Sequence, residues 1–380
     1  MRAVILCLLL SGAALAQNIL NVSRLPPRLR EMESNWNEKP LECSVTPTKP
    51  ALNFSFRIQA GYTVRVPMNQ FEGTGHGWIV MTRITPQGGD RKPVYLGART
   101  PLPEVPKTKV EIEMGGGYLL GEGKYDVRWM MIDDQDRACH KDWTIDARLT
   151  RAERAARVAM RPNTVDAFSL RGYPDASRTR DDAPPLRISI LMHAAPLSPR
   201  RTRLRATDQM LLIGSLSALL ERLPTRSVRM VVFNLEQQKE LYRRDNFTSD
   251  AIGQVSRSLN SLQLDLVDYK TLLNRQGHMD LLTDLVNREM HAEQPSDAVV
   301  ILGPVARFED KPPPGVLEKP AGTLPRFFFF QYKPWFRQQA SLPDSLTLTV
   351  NSLKGKVLTI RTPAEFAKAI DQLEKRAMGN

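Results

Sequence analysis

The chain has 380 residues, of which 42% are apolar and 25% are charged, and its formal net charge is +12. These values are ordinary for a globular protein, and they exclude a collagen-like chain, a continuous coiled coil and a long disordered region. At roughly 100–200 residues per domain, the length predicts about two domains.

The first 16 residues have the plan of a secretory signal peptide. An apolar run, Ala3–Leu10, follows one arginine, and Ala14-Leu15-Ala16 precedes Gln17. This run is too short for a membrane anchor, because crossing a bilayer takes roughly 20 residues. We therefore expect cleavage after Ala16 and an extracytoplasmic, periplasmic or secreted protein. Export disfavours a nucleic-acid partner, and no later stretch is apolar enough to span a membrane.

Two cysteines, Cys43 and Cys139, remain after the signal peptide. An even pair in an exported protein predicts a disulfide, the alternative being two free buried thiols. A bridge across so long a loop is credited with up to roughly 4–5 kcal/mol in the chain-entropy model.

The positive charge is concentrated between Arg148 and Arg205, a segment that contains thirteen arginines, five acidic residues and no lysine. Residues 150–185 also contain the Pro, Asp and Ser clusters of a domain boundary, so they are interpreted as an Arg-rich linker. The alternative is a docking strip for an anionic partner such as a glycan or an acidic surface, because arginine suits bidentate contacts with anions.

Residues 17–40 form an extended lead-in, and residues 41–149 show recurrent strand patterns separated by turn residues. Tyr125, Val127, Trp129 and Met131 alternate onto one face of a strand. Gly115-Gly116-Gly117 is interpreted as a turn. The pattern predicts an antiparallel β-sandwich. The stretch GEGKYDVRWMMIDDQDRAC resembles the late hairpin of bacterial immunoglobulin-like domains, which implies that fold and no specific activity.

From residue 186 to residue 380 the pattern changes to strands alternating with helices. Nearly continuous apolar strands with helical segments between them predict an α/β doubly wound parallel sheet of the Rossmann type. Leu264–Tyr269 is predicted as the third of six strands. Residues 344–354 fit a strand or a helix, and their place between two parallel strands favours a helix. Thr362-Pro363-Ala364-Glu365 predicts the start of the last helix.

The order of these elements resembles the von Willebrand factor type A domain. In that family the first strand ends in Asp-x-Ser-x-Ser, and a Thr and a second Asp complete a Mg²⁺ site of hard oxygen ligands. Here the first strand leads into His193-Ala194-Ala195-Pro196-Leu197-Ser198, the fourth ends in ILGPVA, and His278 lies near the position of the Thr. The resemblance therefore implies a degenerate domain that lacks the metal motif.

Metal binding by other residues is a separate hypothesis. His193 and His278 fall on loops that should meet at the same edge of the sheet, where Asp280 or His291 could complete a Zn²⁺ site. Ordinary hydrogen-bonded loop histidines are the alternative. Asp133, Asp134 and Asp136 are candidate Ca²⁺ ligands at the edge of the sandwich, or parts of a solvated turn.

The sequence predicts an exported, non-enzymatic protein-binding or scaffold protein with no cofactor and an unknown protein partner. The rival hypotheses are a metal-dependent hydrolase that uses His193 and His278, and an envelope-glycan binder that uses the Arg-rich strip. The candidate partner contacts lie at the carboxyl ends of the strands or in an aromatic patch, and they are His193, Ser198, Arg200, Arg201, His278, Pro304 and Trp335.

Overall fold

A computed structural model of the chain divides into two units, Met1–Ser169 and Leu170–Asn380. The structure describes residues 18–21, 39–168, 185–198, 201–266, 268–318, 324–333 and 343–377. The expected signal peptide, Arg200 and Trp335 lie outside these ranges. The fold is rich in β-sheet, and the α-helices of the described residues belong to the second unit. None of those helices combines the length and apolarity needed to cross a bilayer.

The first unit consists of two antiparallel sheets, in the orders β1-β5-β4-β7-β8 and β2-β3-β6-β9. The strands are β1 (Asn18–Leu20), β2 (Ser44–Leu52), β3 (Ile58–Pro67), β4 (Gly77–Pro86), β5 (Val94–Pro101), β6 (Glu111–Leu120), β7 (Gly123–Asp133), β8 (Ala138–Ala147) and β9 (Val165–Ala167). Both sheets contribute buried side chains to one core, because strand alternation directs every second residue inward.

The core of this unit is aromatic and is closed by a disulfide. The rings of Tyr62 on β3 and Trp129 on β7 meet edge to face with their centroids 5.3 Å apart, which joins the two sheets. The predicted disulfide between Cys43 and Cys139 is confirmed, with a Cα–Cα distance of 6.1 Å and a sequence separation of 96. It links the chain just before β2 to β8.

The glycine run at 115–117 is part of strand β6, so its interpretation as a turn is wrong. A Cβ atom on Gly116 would lie 2.4 Å from the Tyr62 hydroxyl, and one on Gly61 would lie 2.2 Å from the Gly116 carbonyl oxygen. Gly116 therefore makes room for the Tyr62 side chain, and Gly61 allows the backbones of β3 and β6 to approach closely. Packing, rather than turn geometry, requires them.

The sheets of the first unit extend beyond the predicted 41–149. Strand β1 lies in the expected lead-in and pairs with β5, and strand β9 lies in the expected linker and pairs with β6. Three-residue strands at sheet edges carry too little hydrophobic alternation to be detected in a sequence.

The second unit is a six-stranded sheet in the order β12-β11-β10-β13-β14-β15, parallel except for β12. Its strands are β10 (Leu186–His193), β11 (Thr225–Asn234), β12 (Lys239–Arg244), β13 (Ala298–Pro304), β14 (Arg326–Tyr332) and β15 (Lys356–Ile360). Its helices are α1 (Ala206–Arg222), α2 (Ile252–Asn260), α3 (Tyr269–Leu273), α4 (Gly277–Met290), α5 (Ser345–Ser352) and α6 (Pro363–Ala377).

Helices cover both faces of this sheet. On one face, α4 and α5 pack on alternate residues of the strands, among them Leu191 and Phe329. On the other face, Phe366 of α6 contacts Phe330, and the Tyr332 hydroxyl donates to Ser215 of α1 at 2.6 Å. Because helices cover both faces of the sheet, the central strands are apolar on both sides.

The third strand differs from the prediction. Leu264–Tyr269 is not a strand: Leu264 and Asp265 form a turn, and Tyr269 begins α3. The edge position beside β11 is taken by β12, which returns antiparallel after a four-residue connection. The sequence KELYRR is too polar to predict a buried strand, but an edge strand tolerates charge because one of its sides faces solvent.

Candidate functional site

The carboxyl edge of the parallel sheet is where open α/β sheets collect their functional groups. His193 is the last residue of β10 and is fully buried. Its Nδ1 donates to the Pro304 carbonyl oxygen at 3.1 Å, and its ring centroid lies 5.4 Å from that of Phe233. The prediction that the first strand delivers His193 to this edge agrees with the position of the residue.

Gly303, next to the end of β13, allows this histidine to fit between the strands. Its φ is +155°, and a Cβ atom there would lie 2.6 Å from the His193 carbonyl oxygen and 2.9 Å from the His193 Cβ. Because only glycine avoids both contacts, β13 can pass close to β10 at this point.

Glu236 is the carboxylate that faces His193. It follows β11, and its Oε2 lies 3.7 Å from His193 Nε2 and accepts from Asn234 Nδ2 at 2.9 Å. Its Oε1 lies 3.6 Å from Arg307 Nε. Burial by itself would raise the pKa of Glu236, but the His193 imidazole, the backbone amide of Glu236 and the Arg307 guanidinium together hold that pKa below its ordinary value.

Two arginines extend this contact to the start of α1. Arg307 Nη2 donates to the Arg201 carbonyl oxygen at 2.8 Å, and Arg201 Nη1 lies 3.9 Å from Asp208 Oδ2. The Asp208 carboxylate also accepts from the Arg205 amide at 2.9 Å, which caps α1. We call His193, Glu236, Arg307, Arg201 and Asp208 the edge network. Its ionic contacts lie at 3.6–3.9 Å, and the Arg307–Arg201 contact is a hydrogen bond.

His278 has a different set of partners. It lies buried in the first turn of α4, where Nε2 is 2.8 Å from Asp310 Oδ2 and the ring stacks on Phe308 with centroids 3.8 Å apart. The contacts of His193 are Pro304, Glu236 and Phe233. Each histidine therefore has its own carboxylate partner.

The other proposed zinc ligands do not form a cluster with the two histidines. Asp280 is exposed on α4, and His291 Nε2 lies 3.1 Å from the Glu318 carbonyl oxygen. In the part of the chain that the structure describes, no group of three or more His, Cys, Asp or Glu side chains is arranged to hold a metal ion.

The residues at this edge do not fit the Mg²⁺ site of the von Willebrand A family. That site needs hard oxygen ligands at the end of the first strand, where this chain has the His193 imidazole, the Ala195 methyl group and the Leu197 side chain. Strand β13 ends at Pro304, and Val305 follows it. Neither side chain has an oxygen atom.

Two of the remaining candidate partner residues, Ser198 and Pro304, differ in their burial. Ser198 is half-buried, and its carbonyl oxygen accepts from the Arg201 amide at 3.1 Å. Pro304 is buried and bonded to His193 through its carbonyl oxygen. Arg200 and Trp335 lie outside the described residues.

The three aspartates proposed for Ca²⁺ lie at the β-hairpin connection between β7 and β8. Asp133 is buried and accepts from Arg137 Nε at 2.6 Å and from the Gln135 and Arg137 amides. Asp134 Oδ2 lies 3.2 Å from His76 Nδ1. Asp136 has a φ of +61°, which Asp tolerates in turns. The Asp133 and Asp134 carboxylates are directed to different partners.

Sequence reasoning missed Glu236, Arg307 and Asp344. Asp344 caps α5 through the Thr347 amide at 3.2 Å and accepts from the Ala306 amide at 2.6 Å, so it fixes the loop after β13. Beside it lies an open cleft of about 240 Å³ lined by Val305, Gln331, Lys333, Pro343, Asp344, Thr347 and Val357. Glu236 could have been found from its position in the sequence, because it comes two residues after the end of a buried strand.

A second buried polar cluster lies below this edge and was also missed. Glu289 on α4 accepts from the Ser189 hydroxyl at 2.5 Å and from Arg229 Nη1 at 2.8 Å. The hydroxyl oxygens of Ser189 and Ser296 lie 2.8 Å apart. These residues are on β10, β11, α4 and the turn before β13. The cluster ties α4 to the sheet.

Comparison with known proteins leaves the family of this chain open. No family model and no curated protein matches it. A crystal structure described as the ApaA protein from Bordetella pertussis is 14% identical, covers 30% of this chain and 98% of its own, and has a TM-score of 0.21. An X-ray structure of the structural genomics target SoR45 is 12% identical, covers 30% of this chain and 95% of its own, and has a TM-score of 0.18.

A third solved structure is longer than this chain. It is a calcium-binding mutant of Bacteroides uniformis beta-glucuronidase 2, is 9% identical, covers 88% of this chain and 39% of its own, and has a TM-score of 0.19. With TM-scores near 0.2, none of the three carries an argument about fold or activity.

Proposed function

We propose that the chain is an exported, non-enzymatic binding or scaffold protein. In this proposal an immunoglobulin-like β-sandwich precedes a degenerate von Willebrand A-like domain, whose carboxyl sheet edge contacts a protein partner without a bridging Mg²⁺. A parallel sheet covered by helices on both faces supports the second part, and a disulfide supports an oxidising, extracytoplasmic location.

The observation that carries the proposal is the edge network. Where a metal-dependent site would present free oxygen ligands, this edge presents a buried imidazole, and the Glu236 carboxylate beside it is held by Asn234 and Arg307. Such an arrangement rigidifies the loops that carry it, which suits a preorganised contact surface.

Ion pairing of arginines in the Arg-rich strip favours a protein partner over a glycan. Arginines at the two described ends of the strip have carboxylate neighbours, Arg148 with Asp146 at 2.7 Å and Arg203 with Asp265 at 3.0 Å. Arginines that are already paired offer less to a polyanion than a free basic strip would.

Thermal unfolding of residues 17–380 with and without Mg²⁺, Mn²⁺, Ca²⁺ and Zn²⁺ tests the proposal. A ligand that prefers the native state raises the midpoint, so we expect no rise with any of these ions. His193→Ala is measured in parallel, with the more exposed His291→Ala as the matched control.

Two outcomes would contradict the proposal. A rise with Mg²⁺ would mean that the edge does hold oxygen ligands. A rise with Zn²⁺ that is lost in His193→Ala and retained in His291→Ala would favour the rival hypothesis of a metal-dependent hydrolase, in which His193 and His278 act together.

A further inference from the structure

Three large apolar side chains are exposed within eight residues of the second unit. The exposed fractions of Leu266, Tyr269 and Leu273 are 67%, 72% and 65%, whereas the other exposed large apolar residues among the described ones do not exceed 53%. Tyr269 and Leu273 are four residues apart on α3, a spacing that places both on one side of a helix. We call Leu266, Tyr269 and Leu273 the apolar stripe.

The backbone of the apolar stripe is held at the carboxyl edge of the sheet. Gln238, in the connection after β11, donates through Nε2 to the Asn274 carbonyl oxygen at 2.8 Å and to that of Thr271 at 3.3 Å. The Leu264 amide donates to the Thr202 carbonyl oxygen at 3.1 Å. The stripe is thus fixed to the loops after β10 and β11. Exposed apolar side chains that cluster on an anchored segment are typical of interaction sites.

Basic residues outnumber acidic ones in the two segments that meet beside the apolar stripe at the Leu264–Thr202 hydrogen bond. The segments 201–207 and 262–276 together contain five basic and two acidic residues. One of the acidic residues, Asp265, is paired with Arg203. Arg205 and Arg275 are exposed, and Arg275 lies two positions after Leu273. A partner that covers the stripe therefore meets a positive rim.

We propose that the apolar stripe docks a protein segment that carries large apolar side chains flanked by carboxylates. The inference rests on the proposed function and names the chemistry of its partner. Leu266, Tyr269 and Leu273 would form the dry centre of the contact, while Arg205 and Arg275 meet acidic side chains at its rim. Electrostatic complementarity of this kind selects acidic partners and speeds association.

Two other occupants fit less well. A second copy of the chain would bring the same basic rim against itself, which is repulsive. An anionic lipid surface would be attracted by the same basic residues, but a helix of five residues offers it little apolar area to insert. A mixture of Tyr, Leu and Arg is common in protein interfaces, which are enriched in aromatic residues and arginine.

A displayed random-peptide library provides the test, with immobilised residues 17–380 as bait. We expect recovered peptides to be rich in Leu, Phe or Trp together with Asp or Glu, and to bind more weakly as salt is raised. Binding should weaken at least about tenfold, a loss of about 1.4 kcal/mol, in Leu266→Ser/Tyr269→Ser/Leu273→Ser. Val110→Ser removes an exposed apolar side chain from the first unit and should leave binding unchanged.

The inference is overturned by an empty selection, by peptides that bind the triple variant as well as the parent, or by peptides of basic character. Stripe-dependent binding to phosphatidylglycerol vesicles, or stripe-dependent self-association in ultracentrifugation, would assign the surface to another occupant. The ion titration above distinguishes the two proposals. A Mg²⁺ response with normal peptide recovery removes the proposed function alone, and failed recovery without an ion response removes this inference alone.

Discussion

The contact between His193 and Glu236 places an imidazole and a carboxylate together in the interior of the second unit. Bringing a carboxylate out of water is unfavourable unless hydrogen bonds and opposite charge compensate it. Asn234 and Arg307 provide that compensation for Glu236. The consequence is a carboxyl group that stays ionised in the folded protein to a lower pH than in the unfolded chain.

Glu236→Gln should therefore reduce the acid sensitivity of the protein. Because the folded pKa of Glu236 is lowered from its ordinary value of 4.5, the carboxylate contributes stability above that pH, and the contribution is lost as pH falls through the lower folded pKa. We expect the variant to be roughly 1–3 kcal/mol less stable near neutral pH and to lose less stability on acidification. Urea unfolding at neutral and acidic pH measures both effects.

Glu293→Gln is the control for this prediction, because Glu293 is exposed and its replacement should change stability by less than about 0.5 kcal/mol. If Glu236→Gln and the parent lose stability equally between neutral and acidic pH, the account of the Glu236 carboxylate is wrong.

At this scale the sequence predicts where a residue lies better than what it contacts. His193 follows an apolar run, so its place at a strand end is readable from the sequence alone. Its partners are not, because Glu236 and Pro304 lie 43 and 111 positions away and depend on the order of the strands. Nothing in the sequence indicates that His278 has Asp310 and Phe308 beside it.

Among the elements, the buried strands were the most predictable. The apolar segments RFFFFQY and KVLTI form β14 and β15, and the helix start expected at Thr362-Pro363-Ala364-Glu365 forms with a hydrogen bond of 3.2 Å in each direction between Thr362 and Glu365. Strand β12 was missed because its role depends on pairing with β11 rather than on its own composition. The connection before it has Gln238 at a φ of +51°, where a turn pattern would show Gly or Asn.

The close approach of β10 and β13 gives a prediction about these two strands. Gly303→Ala places a methyl group against the His193 backbone at a φ that alanine rarely adopts, so we expect a loss of about 2–4 kcal/mol. Gly253→Ala is the matched control, because a Cβ on that residue of α2 meets nothing within 4 Å and helix propensity favours alanine by up to about 1 kcal/mol. Chemical denaturation of both variants measures the difference. Equal stabilities would contradict the close approach.

At the scale of the whole molecule, each of the two units has a core of its own. The core of the first unit is formed by two sheets, and that of the second by a sheet and its helices. The change from strand patterns to alternating strands and helices predicts this division. The ends of the first unit were not predictable, since β1 and β9 are recruited by the edges of sheets that form elsewhere in the sequence.

Because the disulfide lies within the first unit, its removal should affect the units differently. Cys43→Ser/Cys139→Ser frees a loop with a sequence separation of 96, which the chain-entropy model values at up to roughly 4–5 kcal/mol. We expect calorimetry to show the transition of the first unit at a lower temperature and that of the second unit unchanged. A reducing agent should reproduce this shift in the parent and have no effect on the double variant. If both transitions move together, or if the reducing agent shifts neither, the disulfide does not stabilise the first unit in the way that its position implies.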